Sequence, residues 1–418
     1  MWFCRRRCLD LPTLNTHDPY FFGDLESLHA NYHRINEYLL ECHEEVGGTF
    51  QMSLPFRRGA FVHMGPDPRN LKHVLKTAFH KYVKPPDTID VVGEILGSGI
   101  FASDGKAWSA QRKQMSYYFT RRNLVERMEP VFHDKSRNIE LEEEYEHDLQ
   151  TVFYKFTLES LLEIVFDHDL DTAEFSRLFD ECQELMFARQ FTPLWKLCRF
   201  LRCTDSERTI AHNIKRLNAM VEPLLLDTGR DMVMNFLLAG RDTTAALLTW
   251  TTYLILKHKL DQTRLVEDPT YLHDVLMESL RLYPPVPSDV KLATEDDVWP
   301  DGTRIAAGTT VVYKPFFFGR ATEIWGEDAS IFRPGRRKNH DQYAFPVFNA
   351  GRRLCLGKDM AITEAKIMLR NLLAKYTLTS VVADDEPDIV PSVTLKMKRG
   401  LWCRVVKKQN KINGRAVR

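Results

Sequence analysis

The sequence lacks several features that would direct it to a particular class of protein. No run of about eighteen apolar residues occurs, so nothing in the sequence predicts a transmembrane helix. Residues 1–7 are rich in arginine and lack the apolar core of a signal peptide. No internal repeat or low-complexity linker divides the 418 residues, which favours one compact unit over separable domains.

An excess of charge of one sign and closely paired cysteines are missing as well. Lysine plus arginine equals aspartate plus glutamate at 57 each, so no charge bias predicts binding to nucleic acid. The 8 cysteines form no C-x-x-C pair and no zinc spacing, a pattern that suits reduced thiols in a cytosol-facing protein. No G-x-G-x-x-G segment occurs, so the sequence predicts no nucleotide-binding domain of its own.

The spacing of apolar residues, which make up 44% of the chain, predicts a mainly α fold with a small β-rich portion. Helices are expected through most of residues 104–250, and short strands and turns are expected after Pro284. We expect the folded unit to span residues 25–405. It would follow an N-terminal segment (1–24) without a membrane anchor and precede a basic tail (406–418).

The most informative segment is residues 348–357, F-N-A-G-R-R-L-C-L-G. Cys355 stands between glycines just before a helical pattern, so its sulfur is expected near a helix N-terminus that favours a thiolate. Gly351 would let a flat ligand approach the backbone, Phe348 would shield the sulfur, and Arg353 would meet a carboxylate of that ligand. A thiolate-ligated haem has these requirements. The alternative is a buried structural cysteine, and the full set of residues in register counts against it.

Residues 236–244 place a glycine, an aspartate and two threonines inside a long apolar helical run. Glycine costs about 1 kcal/mol in a helix interior and threonine is also unfavourable there, so a functional groove would explain them. The hydroxyl of Thr243 can donate to a carbonyl one turn earlier and open the helix, leaving space for dioxygen and water. The alternative is a kinked core helix in which the threonine only satisfies a hydrogen bond.

Two further pairs of residues lie one helical turn apart. Trp108 and Arg112 could present an indole N–H and a guanidinium group to a haem propionate, or they could form only an aromatic–cation pair. Glu278 and Arg281 share one helix face and can form an ion pair, a pattern that is common on surface helices. It gains weight from the following segment L-Y-P-P-V-P, residues 282–287, and from its place between the other motifs.

In their order along the chain the four motifs resemble the cytochrome P450 superfamily, over about residues 30–405. The signature F-x-x-G-x-R-x-C-x-G matches at every specified position, and Arg352 stands where a proline is usual. The resemblance implies haem b as the cofactor, with Cys355 as the axial ligand of its iron. It also implies that Asp242 and Thr243 relay protons during oxygen activation, a general-acid role.

The same resemblance extends to the ion pair of Glu278 and Arg281. In the family this pair is buried and is joined by a later arginine, which corresponds here to Arg336 in the segment F-R-P-G-R. We interpret these three residues as a structural lock that holds the loop of residues 348–357 in place, because removing one partner of a buried ion pair strongly destabilises a protein.

The amino-acid sequences of the motifs are most similar to those of eukaryotic fatty-acid ω-hydroxylases. This implies a monooxygenase that inserts one oxygen atom into the terminal C–H bond of a long acyl chain. Electrons would come from NADPH through a separate cytochrome P450 reductase. The resemblance places the protein on the cytosolic face of the endoplasmic reticulum membrane, and a chain without an anchor would make only peripheral contact or be cytosolic. The apolar candidates for substrate contact, each equally explained as a core residue, are Ile100, Phe101, Phe187, Phe191, Leu238, Ala239, Pro287, Val290 and Val393.

The sequence is short for this family around residues 220–230 and 255–270. Two alternatives to a monooxygenase therefore stay open: a haem-thiolate isomerase or dehydratase of hydroperoxides, and a truncated haem-binding product without catalysis. The Asp242–Thr243 pair counts against the first, because such enzymes tend to lose it. The short segments favour the second.

Overall fold

The computed structural model describes residues 11–13, 24–52, 60–166, 168, 170–192, 194–225, 229–336, 341–381 and 387–408. Most of the predicted N-terminal segment and of the predicted basic tail lies outside these residues. Within the described ranges the chain is mainly helical with small sheets, which confirms the predicted fold class.

Helices form where apolar residues recur at every third or fourth position and pack on a shared core. In chain order the α-helices are α1 (Leu25–Ala30), α2 (Ile35–Val46), α3 (Pro68–Lys72), α4 (Pro86–Val91), α5 (Gly93–Leu96), α6 (Gly105–Ser116), α7 (Arg121–Asn123), α8 (Glu129–Arg137), α9 (Leu149–Leu161), α10 (Thr172–Ala188), α11 (Trp195–Leu201), α12 (Asp205–Val221), α13 (Arg230–Leu237), α14 (Thr243–Lys257), α15 (Gln262–Glu267), α16 (Pro269–Leu282), α17 (Pro315–Phe318), α18 (Thr322–Trp325) and α19 (Lys358–Lys375). Short 3₁₀ turns lie at Tyr32–Arg34, Phe79–Lys81, Arg189–Phe191, Glu222–Leu224, Pro346–Phe348 and Gly351–Arg353. Single π-helical turns lie at His73–Thr77, Leu124–Met128, Leu162–Phe166 and Leu238–Asp242.

The strands are short and form small sheets beside the helices. They are β1 (Phe50–Met52), β2 (Phe61–His63), β3 (Tyr82–Val83), β4 (Glu146–Asp148), β5 (Asp289–Ala293), β6 (Asp297–Val298), β7 (Arg304–Ile305), β8 (Thr310–Tyr313), β9 (Tyr376–Ser380), β10 (Ile389–Val390), β11 (Lys396–Met397) and β12 (Trp402–Lys407). The largest sheet has the order β1-β2-β8-β5-β3, in which β2 and β8 run parallel and the other neighbours antiparallel. A second sheet has the order β4-β12-β9, and β6-β7 and β10-β11 are two-stranded.

Helix α14 runs through the centre of the core. Every residue from Thr244 to Ile255 is buried, and the helix packs against α9, α16 and α19. A helix that is apolar on all sides must be enclosed by other helices, which explains its central place. At its N-terminal side the π-helical turn Leu238–Asp242 joins it to α13, so the predicted long helical run is observed with one irregular turn.

This arrangement brings the sequence motifs to one region of the molecule. Trp108 and Arg112 lie on α6, and Thr243 is the first residue of α14. Cys355 lies on the loop that precedes α19. A helix from early in the chain, the central helix and a late loop therefore contribute to the same region, which is the candidate functional site.

Candidate functional site

Cys355 lies on a tight loop that ends where α19 begins. The 3₁₀ turns Pro346–Phe348 and Gly351–Arg353 fold this loop back on itself, and the Cys355 amide donates to the Phe348 carbonyl at 2.8 Å. Between the turns, Asn349 has a left-handed backbone with φ 61°, and its side-chain oxygen accepts from the following amide at 2.8 Å. These local hydrogen bonds fix the direction of the Cys355 side chain.

The Cys355 thiol has one hydrogen-bond donor and two cations as neighbours. Burial raises its pKa, while a hydrogen bond from the Gly357 amide and the charges of Arg112 and Lys358 act in the opposite direction. An arrangement of this kind stabilises a thiolate once a positively charged ligand offsets the cost of burial. The sulfur is therefore suited to bind a metal cation.

Cys355 lines an internal cavity of about 570 Å³, and its side chain is exposed to this cavity although protein surrounds it. Phe348, Gly240 and Thr243 line the same cavity. So do all the apolar residues named as candidates for substrate contact: Ile100, Phe101, Phe187, Phe191, Leu238, Ala239, Pro287, Val290 and Val393. One cavity thus combines a thiol, a threonine hydroxyl and a largely apolar wall.

Trp108, Arg112 and Arg353 form a cationic and aromatic wall of the cavity. The Arg353 guanidinium lies 4.1 Å from the centre of the Trp108 ring and pairs with Asp104, and Arg112 Nη2 donates to the Leu354 carbonyl at 2.8 Å. Burial lowers the pKa of both guanidinium groups. The Nε atom of Arg353 is buried without a hydrogen-bond partner among the described residues. An anionic group bound at this wall would satisfy that donor and offset the buried positive charge.

Gly351 does not line the cavity. Its φ of 58° is in the left-handed region, and a Cβ atom at this position would lie 2.5 Å from the Leu75 carbonyl oxygen. From the sequence we predicted that Gly351 lets a flat ligand approach the backbone. In the structure Gly351 instead contacts the backbone of the turn His73–Thr77, and this contact holds the loop against that turn. The contact needs a residue without a side chain for conformational and for steric reasons.

The irregular turn before α14 places Thr243 at the cavity. Thr243 Oγ1 donates to the Ala239 carbonyl at 2.7 Å, one turn earlier, as the sequence predicted. A hydroxyl that bonds back in this way competes with the helical hydrogen bonds and accompanies the π-helical turn. A Cβ atom on Gly240 would lie 2.9 Å from Leu161 Cδ2, so the glycine also permits close packing of the turn on α9.

Asp242 is not among the residues that line the cavity. Its carboxylate is buried and accepts hydrogen bonds from Arg241 Nη1 at 2.6 Å and from Gln183 Nε2 at 2.7 Å. Burial, with the nearby charge of Asp180, raises the pKa of Asp242. The sequence placed Asp242 and Thr243 together as proton carriers, but adjacent residues on a helix point about 100° apart, so only Thr243 faces the cavity.

Glu278, Arg281 and Arg336 form a buried ionic network. Arg281 donates to both carboxylate oxygens of Glu278, at 2.7 and 2.9 Å, and Arg336 Nε donates to the same carboxylate at 3.2 Å. The amide of Arg333 adds a fourth donor at 2.9 Å. Both arginines also donate to main-chain carbonyls within residues 319–331, which ties the end of α16 to the segment before the cysteine loop.

The sequence motifs did not include Glu364, a buried carboxyl group close to the site. Glu364 lies on α19 against Thr244, and burial raises its pKa well above the usual range. Both of its side-chain oxygens are buried. The available signal was its position: Met360 and Met368, four residues before and after it, are buried on the same face, so the glutamate interrupts an apolar stripe.

Comparison with known proteins identifies the family that shares these motifs. Residues 17–232 and 226–404 match the family model described as Cytochrome P450, which together is more than half of the chain. The chain belongs to the cytochrome P450 family. Members are haem-thiolate oxidoreductases, and this cytochrome P450 is accordingly a monooxygenase whose cofactor is haem.

Three curated plant proteins illustrate the similarity. The chain is 29% identical to Cytochrome P450 94B1 of Arabidopsis thaliana and 29% identical to Cytochrome P450 94A2 of Vicia sativa, in each case over 93% of this chain and 90% of the relative. It is 28% identical to Alkane hydroxylase MAH1 of Arabidopsis thaliana, over 90% of both chains.

The residues of the cavity fit a haem. Cys355 is exposed to the cavity and would bind the iron, and the unpartnered Nε of Arg353 provides a donor for a propionate. Trp108 and Arg112 would complete the propionate site, since both line the cavity on the same wall. When bound, the haem supplies the activation of dioxygen, and the protein supplies the ligand, the orientation and the surrounding charges.

Proposed function

We propose that this cytochrome P450 hydroxylates a long acyl chain at or near its terminal carbon, with electrons from NADPH delivered by a separate reductase. One atom of dioxygen would enter a C–H bond and the other would leave as water, with two electrons and two protons consumed. The observation that carries the proposal is that Cys355 and Thr243 line one cavity whose remaining wall is largely apolar. An elongated apolar substrate suits such a cavity.

Thr243 would hold and pass protons at the cavity. Its hydroxyl donates to the Ala239 carbonyl, and both of its lone pairs stay available to accept a hydrogen bond from water. We assign Asp242 a less direct part in this step. Because both of its oxygens are held by Arg241 and Gln183, it would deliver protons only by leaving that buried cluster.

Cys355 would bind the haem iron, and its neighbours would keep it anionic. The amide of Gly357 and the charges of Arg112 and Lys358 favour the thiolate, and the ring of Phe348 lies in the same wall. A bound haem would supply the activation of dioxygen, and a thiolate ligand that is protected from water would favour that chemistry.

Glu278, Arg281 and Arg336 would have a structural role rather than a catalytic one. All three side chains are buried, and none of them lines the cavity. Their hydrogen bonds join α16 to the backbone that leads into the cysteine loop. We therefore propose that this network maintains the position of the loop that carries Cys355.

We propose that the protein makes peripheral contact with the endoplasmic reticulum membrane through α11. No helix of the described residues is long and apolar enough to cross a membrane. The outer face of α11 exposes Leu197, Phe200 and Leu201, and Phe200 is 83% exposed. Trp195 anchors the inner face beneath the guanidinium of Arg199. A short helix with such an apolar outer face and basic neighbours suits a lipid headgroup boundary.

The carbon-monoxide difference spectrum of the reduced, purified protein tests the haem assignment. We expect the red-shifted Soret band of a thiolate–carbonyl complex, and we expect Cys355→Ala to abolish it. Cys203→Ser removes an exposed thiol away from the cavity and should leave the band unchanged. A thiolate band that persists in Cys355→Ala would disprove the assignment of the ligand. Absence of haem in the wild-type protein would mean that the shortened chain does not form the haem site, and a haem-loaded protein without turnover would support the non-catalytic alternative.

Turnover tests the reaction itself. Hydroxylated product should require dioxygen, NADPH and a reductase together. Conversion of fatty-acid hydroperoxides without a reductase, and with no hydroxylation, would instead support the isomerase or dehydratase.

A further inference from the structure

Lys314 is a buried cation without a carboxylate partner among the described residues. Its side chain is buried, and its hydrogen bond runs from Nζ to the neutral side-chain oxygen of Asn36, on α2, at 3.1 Å. The neighbouring Glu37 attracts it only from beyond ion-pair distance. Burial of an ammonium group is costly unless an anion compensates it, so this position calls for an explanation.

The other buried cations of the described residues show what compensation looks like in this protein. Each of them has a carboxylate within ion-pair distance, and they are Arg189, Arg241, Arg281, Lys291 and Arg336. Lys291 is the nearest comparison, because it is a lysine on β5, which pairs with the strand that Lys314 directly follows, and it lies 3.0 Å from Asp289. Lys314 differs from all of them in lining the internal cavity that Cys355 also lines.

The register of the largest sheet directs Lys314 and His63 to the same side. His63 pairs with Val312 across the parallel strands β2 and β8, and Lys314 follows Val312 by two residues with an extended backbone (φ −122°, ψ 106°). Residues two apart on an extended chain share a face, so both side chains lie on the face that carries Val312. All three residues line the cavity, together with Met52 and Phe61.

His63 adds a second unsatisfied polar group to this wall. Its Nδ1 atom is buried without a hydrogen-bond partner among the described residues. Burial and the charge of Lys314 lower the pKa of His63 to about 3, so the ring is neutral at physiological pH. Its face stacks on Phe50 with 4.8 Å between ring centres. A neutral imidazole donates from one nitrogen, and the tautomer with hydrogen on Nδ1 would offer a donor beside Lys314.

We propose that Lys314, assisted by His63, binds the carboxylate of an acyl substrate whose chain extends through the cavity toward Cys355. This rests on the proposed function and narrows it, because an alkane has no group that a buried cation would recognise. A carboxylate held between an ammonium group and a second donor makes charge-assisted hydrogen bonds. Holding the polar end of the chain at the sheet directs the opposite end toward the thiolate wall, which would favour oxidation near the terminal carbon.

The competing explanation is that Lys314 only fastens α2 to the sheet through Asn36. Under that explanation, replacing the lysine would destabilise the fold and weaken binding of all substrates alike. Under our proposal, replacement weakens binding of acids selectively. The ratio of affinities for an acid and for the matching alcohol therefore separates the two explanations.

The experiment measures binding of hexadecanoic acid, hexadecan-1-ol and hexadecane to the haem-loaded protein, by isothermal titration calorimetry and by the change in haem absorption. For Lys314→Met we expect the affinity for the acid to fall roughly ten-fold or more, because a hydrogen-bonded charge pair is lost, with alcohol and alkane within about two-fold of wild type. Lys314→Gln can still donate to Asn36, so it keeps that link if the methionine variant fails to fold. Lys314→Arg should retain part of the preference for acid.

Lys84→Met is the matched control, because Lys84 also lines the cavity but is paired with Asp289 at 3.1 Å. This variant should leave the ratio of acid to alcohol affinity unchanged. Equal losses for acid and alcohol in Lys314→Gln, or no loss for the acid, would overturn the carboxylate site while leaving the monooxygenase intact. A wild-type protein that binds and oxidises none of the three compounds would contradict the proposed function itself.

Discussion

At the scale of single residues, Thr243 and Thr249 make the same local contact in different surroundings. Each hydroxyl donates to the carbonyl four residues earlier on the central helix, at 2.7 and 2.8 Å. Thr243 lines the cavity, whereas Thr249 is enclosed in the core. The pair therefore separates the effect of removing a hydroxyl from a helix from the effect of removing it from the site.

We expect Thr243→Ala to bind haem normally but to consume NADPH without forming the corresponding amount of product. The ratio of product formed to NADPH consumed should fall roughly ten-fold, because proton delivery by a positioned group contributes at least that much. Thr249→Ala should keep the wild-type ratio even if its stability changes. If the ratio of product formed to NADPH consumed were equal in the two variants, Thr243 would not be a proton carrier.

His63 makes stability depend on pH. The unfolded chain protonates this histidine near pH 6.5, whereas its pKa in the folded protein is lowered to about 3. As the pH falls below 6.5 the unfolded state takes up the proton first, so the stability that this group supports is full above pH 6.5 and is lost progressively below it.

At about pH 5 the loss should be about 2 kcal/mol, since each pKa unit corresponds to about 1.4 kcal/mol. His63→Phe keeps an aromatic ring on Phe50 and should therefore lose less stability than wild type between about pH 7.5 and pH 5. Urea denaturation at both pH values measures this difference. Identical losses in the two proteins would show that His63 titrates normally in the folded state.

Most of the catalytic and cofactor-binding candidates that were predicted from sequence spacing line the cavity, and the two that do not, Asp242 and Gly351, are held elsewhere for geometric reasons. Trp108, Arg112, Thr243 and Cys355 line one cavity, and their roles toward a haem stay predictions. Asp242 does not line it, because the direction of a side chain on an irregular helical turn depends on which neighbours hold it. In this protein Arg241 and Gln183, the latter on α10, hold its carboxylate, and sequence alone did not place α10 beside α14.

At the scale of elements, the network around Glu278 joins α16 to the approach to the cysteine loop. Glu278→Gln would leave two buried arginines facing one neutral group. We expect a loss of roughly 3–5 kcal/mol in the free energy of unfolding, as for other buried ion pairs that lose one partner. Reduced occupancy of haem should accompany this loss, because the loop that carries Cys355 would lose its support.

The matched control is Glu126→Gln, which removes a carboxylate paired with Arg122 on an exposed turn. Exposed pairs contribute about 0–1 kcal/mol, so its denaturation midpoint and haem content should stay close to those of wild type. If Glu278→Gln behaved like this control, the network would not be the structural lock that we propose.

The secondary structure shows which element properties can be derived from local sequence. The long apolar helical run that contains residues 236–244 was predicted from its spacing, and it is present as α13 and α14. The π-helical turn between them was foreseen only as a distortion caused by Thr243, since its form depends on packing against Leu161 of α9. Strands of two or three residues carry too little periodicity to be located from sequence with accuracy.

At the scale of the whole molecule, α11 provides a surface for membrane contact. Replacing both Leu197 and Phe200 by aspartate would remove two exposed apolar side chains and add negative charge. We expect binding to vesicles of phosphatidylcholine and phosphatidylserine to weaken roughly ten-fold or more, as measured by co-sedimentation, because each buried apolar side chain contributes about 1.5–3 kcal/mol.

Val298→Asp tests whether any exposed apolar residue has this effect, since Val298 is exposed on β6, away from α11. This control should bind vesicles like wild type. Undiminished binding of the α11 variant would exclude α11 as the contact surface.

The length of the chain relative to its family also belongs to this scale. The alignment with Cytochrome P450 94B1 runs over 465 positions, more than the 418 residues of this chain, so the relative carries internal segments that this chain lacks. Between α12 and α13 the described chain has only the 3₁₀ turn Glu222–Leu224 as an ordered element. The shortening predicted around residues 220–230 stays a prediction, and the cavity and its motif residues are nevertheless assembled.

The sequence by itself determined the family and the mainly helical class, and it predicts Cys355 as the haem ligand, because each depends on residue types at characteristic spacing along the chain. Only the tertiary structure decided which way Asp242 points, why Gly351 is required, and that Lys314 is buried in the cavity wall with no carboxylate partner in the described part of the chain. Those properties depend on contacts between segments far apart in the chain, such as Lys314 with Asn36 and Gly351 with Leu75. Local spacing carries no information about such contacts, since burial and charge compensation arise only when distant elements pack together.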